Sequence, residues 1–304
     1  MRKIIPVLFG LGGFLLVAGL VCWLWAPGVV KKTPLDVSTT THLSGQAQKL
    51  NTATGELESN PVNATSVTKT DSKASSDNVV VWTNSSCLVI DTDNPPDCVD
   101  GQDPRLISAS TDVFATDRVS ALAVNDSKYL PSDAVEHHGL VNKFPFDTEK
   151  KTYPYWEGTL GKAVDAKYSG TAKVKGAETY VFKVVTKDAP IDIAEGVKGT
   201  YTDETTIYVE PRTGAILNQT DDQQRFLDSG EKVLDLQLAF TSAQQQQSVD
   251  DSDSNLRLLS LVEWIVPVVG IVGGVICLGI AAFLLIAGRR RDTPTAEHRE
   301  PAHV

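Results

Sequence analysis

An aromatic segment with neighbouring lysines is the part of this chain best suited to ligand chemistry. Residues 144–156 hold five aromatic side chains, and Pro145 and Pro154 restrict their backbone. Amphipathic rings beside basic groups suit an apolar ligand with a polar head, or a sugar. Packing of a proline-restricted crossover in the core explains the same cluster. The predicted ligand-binding residues are Phe144, Phe146, Lys150, Lys151, Tyr153, Tyr155 and Trp156, with Lys143 adding further positive charge.

An acidic loop is a weaker candidate for cation binding. Residues 91–103 include five aspartates and one asparagine, and a hard cation such as Ca²⁺ prefers many oxygens on a constrained loop. Asp91, Asp93 and Asp97 are therefore candidate calcium ligands. The spacing does not match an EF-hand, because Pro95 and Pro96 occupy the place of its glycine turn. A solvated acidic turn is the alternative.

Catalytic motifs are weak throughout the chain. Ser66-x-x-Lys69 and Ser76-Asp-Asn78 occur in the order found in penicillin-binding enzymes, but they lie too close together to occupy separate elements, and no Lys-Thr-Gly follows. The sequence has no nucleophile elbow, zinc-protease motif or phosphate loop. We therefore predict no cofactor and a non-enzymatic role.

Two further pairs of side chains keep alternatives open. His137 and His138 could bind a transition metal, although adjacent rings on a strand point to opposite faces. An exposed loop is the simpler interpretation of that pair. Carboxylates such as Asp112 and Asp117 could serve an envelope hydrolase or transferase, which is the enzymatic alternative.

Two apolar runs must position these groups relative to a membrane. The run 265–287 has no charge, and a helix of that length would extend ~34 Å. Three arginines, 289–291, follow it directly. The run 4–25 follows Arg2 and Lys3, and a cleaved signal peptide is the alternative to a membrane helix there. We predict transmembrane helices at 4–25 and 265–287.

The distribution of charge predicts the orientation in the cell membrane. Basic residues flank the cytoplasmic ends of membrane helices, which predicts a cytoplasmic N-terminus (1–3), an extracytoplasmic β-rich domain (26–264) and a cytoplasmic tail (288–304). Residues 31–263 carry 35 Asp and Glu against 22 Lys and Arg. This acidic surplus argues against nucleic acid as a partner and against docking of the domain on anionic lipid head groups. The two apolar runs make the lipid bilayer the predicted partner.

Small residues and cysteines predict two structural contacts. Gly270-x-x-x-Gly274 forms a face where a second helix can approach, and we expect it to meet Gly10 and Gly13 of the first helix. Glycines scattered by membrane composition are the alternative. Cys87 and Cys98 lie in the predicted extracytoplasmic domain, where oxidising conditions favour a disulfide.

The region between the two apolar runs is typical of strands. β-Branched and aromatic residues dominate, and Pro211-Arg-Thr-Gly214 predicts a tight hairpin turn. Residues 51–78 are either edge strands or a loose linker, and Ser252 or Ser254 is expected to begin a helix leading into the membrane. The predicted fold is a mainly β ectodomain of antiparallel sheets, barrel-like or sandwich-like, between an N-terminal and a C-terminal transmembrane α-helix. Its predicted strands include 35–51, 79–82, 87–90, 180–186, 205–210, 215–219 and 232–241.

Several motifs in order resemble a known family. They are Asp103-Pro-Arg-Leu-Ile-Ser108, Phe114-Ala-Thr-Asp-Arg118, Lys143-Phe-Pro-Phe146, Tyr153-x-x-Trp156 and Tyr208-Val-Glu-Pro-Arg-Thr-Gly214, held between the two end helices. This arrangement, covering nearly the whole chain, resembles actinobacterial envelope proteins grouped as the porin PorA family, a domain of unknown function. The resemblance implies an actinobacterial source and a two-pass protein with a β-rich ectodomain.

These observations favour an integral membrane protein that binds an apolar or amphiphilic component of the cell envelope, such as a lipid or glycolipid, or that scaffolds envelope assembly. The envelope hydrolase or transferase is the second hypothesis. A porin-like channel subunit, as the family label suggests, is the third. The sequence leaves the oligomeric state open.

Overall fold

The computed structural model describes residues 4–291, which form two compact units. The helical unit combines the chain up to Val30 with the chain from Arg257 onward, and the β unit runs from Lys31 to Leu256. The predicted cytoplasmic N-terminus, residues 1–3, and residues 292–304 of the predicted tail lie outside the described range.

The helices of the chain are α1 (Ile4–Val30), α2 (Ser242–Ser260) and α3 (Val266–Arg291), and a π-helical turn, Leu261–Ile265, joins α2 to α3. α1 and α3 are each long and apolar enough to cross a membrane. Most of their large apolar side chains are exposed, as Phe14 and Phe283 are at 69% each. A core helix of a soluble protein would bury such side chains, so this exposure fits contact with lipid.

Glycines form the contact between α1 and α3. A Cβ atom added to Gly274 would lie 2.8 Å from the carbonyl oxygen of Gly12, and one added to Gly270 would lie 3.0 Å from the Cα of Gly19. No larger side chain fits there, so the two backbones approach closely. The prediction that Gly10 and Gly13 form this contact was wrong, because a Cβ atom added to either would have no neighbouring atom within 4 Å.

The β unit is built from ten antiparallel strands in one sheet. They are β1 (Ser38–Asn51), β2 (Glu56–Asp71), β3 (Val79–Ile90), β4 (Leu106–Asp117), β5 (Tyr153–Glu157), β6 (Lys162–Val174), β7 (Ala177–Ala194), β8 (Val197–Val209), β9 (Ile216–Leu227) and β10 (Lys232–Phe240). The order across the sheet is β4-β3-β2-β1-β10-β9-β8-β7-β6-β5. The fold therefore matches the predicted class, an antiparallel β domain of half-barrel form in a chain with an apolar helix at each end.

The connection between β4 and β5 joins the two edges of the half-barrel. Thr116 of β4 forms a bridge with Ala123, Leu122 with Leu140, and Leu140 with Tyr155 of β5. These pairings use backbone groups that an open sheet edge would leave unpaired. The connection, residues 118–152, thus lies across the gap and contributes to the inner wall.

Alternation along the strands directs one set of side chains to the concave face. In β8 every second residue from Gly199 to Val209 is buried, including Tyr201, Asp203, Thr205 and Ile207, and the intervening positions are more exposed. Apolar inward residues form the core, with Phe144, Phe182 and Ile207 fully buried in its largest cluster. Polar inward residues, among them Asp203 and Thr205, are the exceptions. We call the space enclosed by the concave face the lumen.

Candidate functional site

The lumen contains a cavity of about 450 Å³, here called the lysine cavity. Its walls come from β1, β2, β3, β4, β5, β9 and β10, from α2 and from the connection between the sheet edges. Its apolar side chains include Val37, Leu43, Trp82, Tyr155, Ile216 and Phe240. Hydroxyl and amide groups of the strands and of α2 line most of the remainder, and α2 also contributes the carboxylate of Asp251. This mixture suits a ligand that is apolar along its body and polar at one end.

Lys143 is a cationic group in the wall of the lysine cavity. Its Nζ donates to Thr33 Oγ1 at 2.9 Å and lies 3.9 Å from the centre of the Phe146 ring. Across the described part of the chain, no carboxylate lies within ion-pair distance of this amino group. Desolvation lowers the pKa of Lys143 to about 7. The cavity therefore contains a basic group that forms no ion pair within the described residues, although Asp251 lies elsewhere in the same wall.

The turn between β8 and β9 positions the backbone around Lys143. Phe144 N donates to Gly214 O at 3.0 Å, and Thr148 N donates to Pro211 O at 2.7 Å. Gly214 has φ +72°, and a Cβ atom there would overlap the carbonyl oxygen of Phe144. Only glycine accommodates both the positive φ and this close approach. The predicted hairpin turn thus also holds the backbone next to Lys143 against the sheet.

The structure divides the predicted aromatic residues between core and lumen. Phe144 and Tyr153 are buried in the core, with ring centres 5.6 Å apart. Tyr155 lines the lysine cavity, and burial raises the pKa of its hydroxyl to about 12, so it remains a neutral donor. Trp156 lies in the wall of a second cavity, and Phe146 lies beneath the amino group of Lys143. A ligand-binding role for these side chains stays a prediction.

The other two predicted lysines lie on the exterior. Lys151 pairs with Glu149 at 2.8 Å, and its side chain is 56% exposed. Lys150 is exposed, with its amino group 5.1 Å from the centre of the Tyr180 ring. Neither lines either cavity of the lumen, so Lys143 is the basic group that the structure brings to the enclosed space.

A second cavity of about 300 Å³, here called the acidic cavity, adjoins the first. The two share Asn84, Val141, Asn142, Tyr155 and Gln219 as wall residues, so they are adjacent parts of the lumen. The acidic cavity has three carboxylates in its wall, from Asp112, Glu157 and Asp221.

Asp203 and Asp221 are buried acids on adjacent strands near the acidic cavity. Thr205 is paired with Asp221 across β8 and β9, and its Oγ1 lies 2.9 Å from Asp203 Oδ2 and 3.4 Å from Asp221 Oδ2. Burial, followed by the charge of Asp221, raises the pKa of Asp203 to about 7. Burial, followed by the charge of Glu157, raises the pKa of Asp221 to about 6. Both acids therefore favour neutralisation.

The other candidate acids are held by neighbouring groups. Asp112 Oδ2 lies 2.8 Å from His137 Nε2, and His137 Nδ1 lies 2.8 Å from the carbonyl oxygen of Val135. That oxygen only accepts, so Nδ1 donates to it. Asp117 Oδ1 accepts from the backbone and hydroxyl of Ser120 at 2.7 and 2.9 Å. These contacts give Asp112 and Asp117 positioning roles and do not assemble them as a catalytic pair.

The two histidines differ in environment. His137 is 1% exposed and lies between the rings of Phe114 and Trp156, at 5.3 and 4.5 Å between ring centres. The expectation of an exposed loop is therefore wrong for His137, although His138 is exposed. Among the described residues, no group of three or more His, Cys, Asp or Glu side chains is arranged to hold a metal ion.

The acidic loop follows β3 and is tied back to it. The predicted disulfide joins Cys87 to Cys98, with their Cα atoms 5.6 Å apart. Asp97 Oδ1 lies 3.4 Å from His42 Nε2. Asp91, Asp93 and Asp97 are exposed, and calcium binding by them stays a prediction.

Sequence reasoning missed Asp203 and Asp221 and did not anticipate the partial burial of Lys143. One signal was available for Asp203. It alternates with Tyr201, Thr205 and Ile207 in a strand whose inward positions are otherwise apolar or uncharged. A charged residue at an inward position is unusual, because burial of an unpaired charge is costly. No comparable pattern marks Lys143, which belongs to an irregular connection.

Comparison with known proteins identifies one family. A family model described as Porin PorA matches residues 6–283. No curated protein matches the chain.

Proposed function

Because the chain belongs to the porin PorA family, we propose that it is a membrane protein whose β unit binds an amphiphile with an acidic head group in the lumen. The observation that carries this proposal is Lys143, a desolvated cation in a cavity wall with no carboxylate partner among the described residues. An acidic head group supplies the missing negative charge. The resulting pair forms in a low-dielectric setting, where charge-assisted hydrogen bonds are strong.

The remaining walls explain the amphiphilic character of the ligand. Trp82, Tyr155 and Phe240 provide apolar surface, and hydroxyl groups such as that of Thr68 provide a few polar contacts. The volume of about 450 Å³ is within the ordinary range for small-molecule sites. A lipid-derived acid matches this combination better than a fully polar metabolite does.

The family name also suggests that the protein forms a pore. The charges on the outward face of the sheet argue against that function. Lys183 and Glu204 form an ion pair across β7 and β8, with side chains 46% and 49% exposed. Lys198 and Asp192 form another exposed pair near the β7–β8 turn. A lipid-facing barrel needs an apolar outward band, and these charges interrupt it. Binding therefore explains the lumen better than conduction does.

The proposed placement keeps the predicted topology, with both termini cytoplasmic and the β unit outside the cell membrane. It is supported by the two apolar helices and by the arginines at 289–291. A cytoplasm-dependent reporter fused after Val304 should be active, and an impermeant thiol reagent should label an Asn60→Cys variant from outside. External labelling of the tail, or a mature N-terminus near residue 20 or 27, would contradict this placement.

Binding is tested by equilibrium titration of the full chain, in nonionic detergent at pH 6.5, with radiolabelled dodecanoate and dodecanol. The wild-type protein should bind dodecanoate, and Lys143→Met should weaken that binding about 10-fold to 100-fold, because a charged hydrogen bond contributes about 1.5–3 kcal/mol. Binding of the neutral dodecanol should change little. Raising the pH above 7 should weaken dodecanoate binding by the wild type, because free Lys143 then loses its proton.

Lys150→Met is the matched control, since Lys150 is an exposed lysine in the same connection. It should bind dodecanoate as the wild type does. Equal dodecanoate affinity in the wild type and Lys143→Met would refute the proposed role of Lys143. Ion conductance of the purified wild type in planar bilayers, without any saturable ligand binding, would favour the pore.

A further inference from the structure

We propose that Asp203 and Asp221 form a binding site for a divalent cation of the hard, oxygen-preferring class. The site lies on β8 and β9 at the acidic cavity, and it is separate from the exposed acidic loop at 91–103. It is also independent of the amphiphile proposed for the lysine cavity.

The two carboxylates converge on one hydroxyl. Thr205 Oγ1 lies 2.9 Å from Asp203 Oδ2 and 3.4 Å from Asp221 Oδ2. A threonine hydroxyl carries one hydrogen, so it can donate to only one of these two oxygens at a time. One of the two carboxylate oxygens next to Thr205 therefore receives no hydrogen bond from this hydroxyl at any given time.

The other oxygen of each carboxylate has no hydrogen-bond partner among the residues that the structure describes. Asp203 is 1% exposed, and its Oδ1 makes no hydrogen bond within the described residues. Asp221 Oδ1 is likewise buried and without a partner there. Buried carboxylate oxygens in native proteins are normally paired, so two adjacent orphans indicate a missing positively charged group.

Glu157, in the same region, differs from the pair because both of its carboxylate oxygens accept hydrogen bonds from the protein. Its Oε1 accepts from Tyr201 at 3.0 Å, and its Oε2 accepts from the backbone N–H of Leu160 at 2.6 Å. Glu157 is therefore committed to the protein, while its charge still adds to the negative potential at Asp221.

Basic side chains do not neutralise the pair. Arg225 is the cation that acts on Asp221 electrostatically, but its Nε donates to Gln223 Oε1 at 3.1 Å. Its guanidinium carbon lies 5.8 Å from the centre of the Tyr201 ring. No lysine or arginine of the described chain is within ion-pair distance of Asp203 or Asp221. Two ionised carboxylates then carry two negative charges, which one divalent cation balances.

The acidic cavity gives a cation access to the pair and supplies further oxygen atoms that could coordinate it. Thr205 and Asp221 are in its wall together with Asp112 and Glu157, so its potential is negative and attracts cations. Asn84 and Gln219 add neutral oxygens. Because no third acid joins the pair in a metal-binding arrangement among the described residues, neutral oxygens and water must complete the shell, as they do around Ca²⁺ and Mg²⁺.

The test uses the full chain in nonionic detergent at pH 8, first freed of metals with a chelator. Titration calorimetry with CaCl₂ and with MgCl₂ should show about one bound ion per chain for at least one of the two. The thermal unfolding midpoint should rise with that ion, since a ligand that binds only the folded state stabilises it. Asp221→Asn should weaken ion binding at least 10-fold, and Asp203→Asn should do the same.

Asp222→Asn is the matched control, because Asp222 is the exposed neighbour on the same strand and faces away from the lumen. It should retain wild-type ion binding. If Asp203→Asn fails to fold, Asp221→Asn decides the outcome alone. Absence of ion binding by the wild type at pH 8, together with stabilisation by acid alone, would overturn the proposal in favour of a shared proton. Unchanged binding in Asp221→Asn would also overturn it.

The two proposals fail separately. Lys143→Met should leave ion binding intact, and Asp221→Asn should leave the preference for dodecanoate over dodecanol intact.

Discussion

Lys143→Met is expected to stabilise the unliganded protein at pH 6. Methionine is unbranched and uncharged, so the folded state no longer holds a desolvated ammonium group. Desolvation lowers the pKa of Lys143 to about 7 from the ordinary 10.5, and each pKa unit corresponds to ~1.4 kcal/mol. A stabilisation on the order of 2–4 kcal/mol follows. It is measured by thermal unfolding in nonionic detergent, followed by circular dichroism.

The pH dependence gives a second readout of the same substitution. Between about pH 7 and 10.5 the folded protein has released the Lys143 proton while the unfolded chain still holds it. The unfolded state then binds more protons, so wild-type stability rises with pH across this window. Below pH 7 both states are protonated and the full burial penalty is present. The advantage of Lys143→Met should therefore be largest at pH 6 and nearly absent at pH 10.5.

Lys150→Met controls for the loss of a lysine as such. Lys150 is exposed and contacts the Tyr180 ring at 5.1 Å, so its replacement should change stability by less than about 1 kcal/mol without a pH trend. A lower unfolding midpoint for Lys143→Met than for the wild type at pH 6 would contradict the burial argument. That result would mean that the hydrogen bond to Thr33 and the contact with Phe146 outweigh desolvation.

Local patterns in the sequence were enough to predict the plan of the fold. Two uncharged runs and a β-rich centre gave the helix–sheet–helix order, and the Pro211–Gly214 turn appears between β8 and β9 as expected. Turn residues act over four positions, so their effect is local and readable. The Cys87–Cys98 pair was predicted from an expected oxidising compartment, and the disulfide is present.

Strands with many polar residues were predicted wrongly or only in part, because their sequences do not show the alternation typical of strands. β2 (Glu56–Asp71) lies inside the sheet between β1 and β3, although its polar sequence suggested an edge strand or linker. Cross-strand pairing holds it there, through contacts that no single segment encodes. The two predicted strands 79–82 and 87–90 are parts of a single strand, β3. The polar residues 83–86 between them continue that strand and do not form a turn.

The second long helix begins earlier than predicted for a local reason. α2 starts at Ser242, and Gln244 N donates to Thr241 Oγ1 at 3.1 Å. Thr241 followed three positions later by Gln244 is a capping-box pattern, which was available in the sequence. The glutamine run 244–247 obscured it, because low-complexity segments suggest disorder.

The candidate site could be predicted only in part. Aromatic clustering led to Tyr155 and Trp156, which do line the lumen, but also to Phe144 and Tyr153, which are core residues. Sequence alone cannot separate these roles, because both burial in a core and contact with a ligand select large rings. The burial of Lys143 depends on how residues 118–152 cross the sheet edges, which is a long-range property.

The lumen combines groups that each lower the stability of the empty protein. Lys143 is a cation without a carboxylate partner, and Asp203 and Asp221 are acids without a basic partner among the described residues. Proteins tend to retain such buried unpaired charges at functional sites, where a ligand supplies the partner. The opposite signs of the two groups predict opposite pH dependences. The contribution of Lys143 makes wild-type stability rise between about pH 7 and 10.5, and that of the two acids makes it fall between about pH 4 and 7.

Asp203→Asn is expected to remove a loss of stability that the metal-free wild type shows as pH rises from about 4 to about 7. The pKa of Asp203 is raised to about 7 from the ordinary 3.8, chiefly by burial. In this window the folded state keeps a proton that the unfolded chain has released, so the folded state binds more protons and its stability falls with increasing pH. Each pH unit contributes at most ~1.4 kcal/mol.

The asparagine side chain is neutral at every pH, so the variant should match the wild type near pH 4.5 and exceed its stability by roughly 2–4 kcal/mol at pH 8. Together with the rise due to Lys143, the wild type should show a minimum of stability near pH 7 in the presence of a chelator. Asp222→Asn, at the exposed neighbouring position, should keep the shape of the wild-type curve, with only a small displacement because the charge of Asp222 is a minor cause of the raised pKa of Asp203. Thermal midpoints of the three proteins from pH 4.5 to 9 provide the measurement. Parallel curves for the wild type and Asp203→Asn would mean that Asp203 is already ionised at acidic pH, and a buried carboxylate stable in that form would need a protein partner that its Oδ1 lacks in this structure.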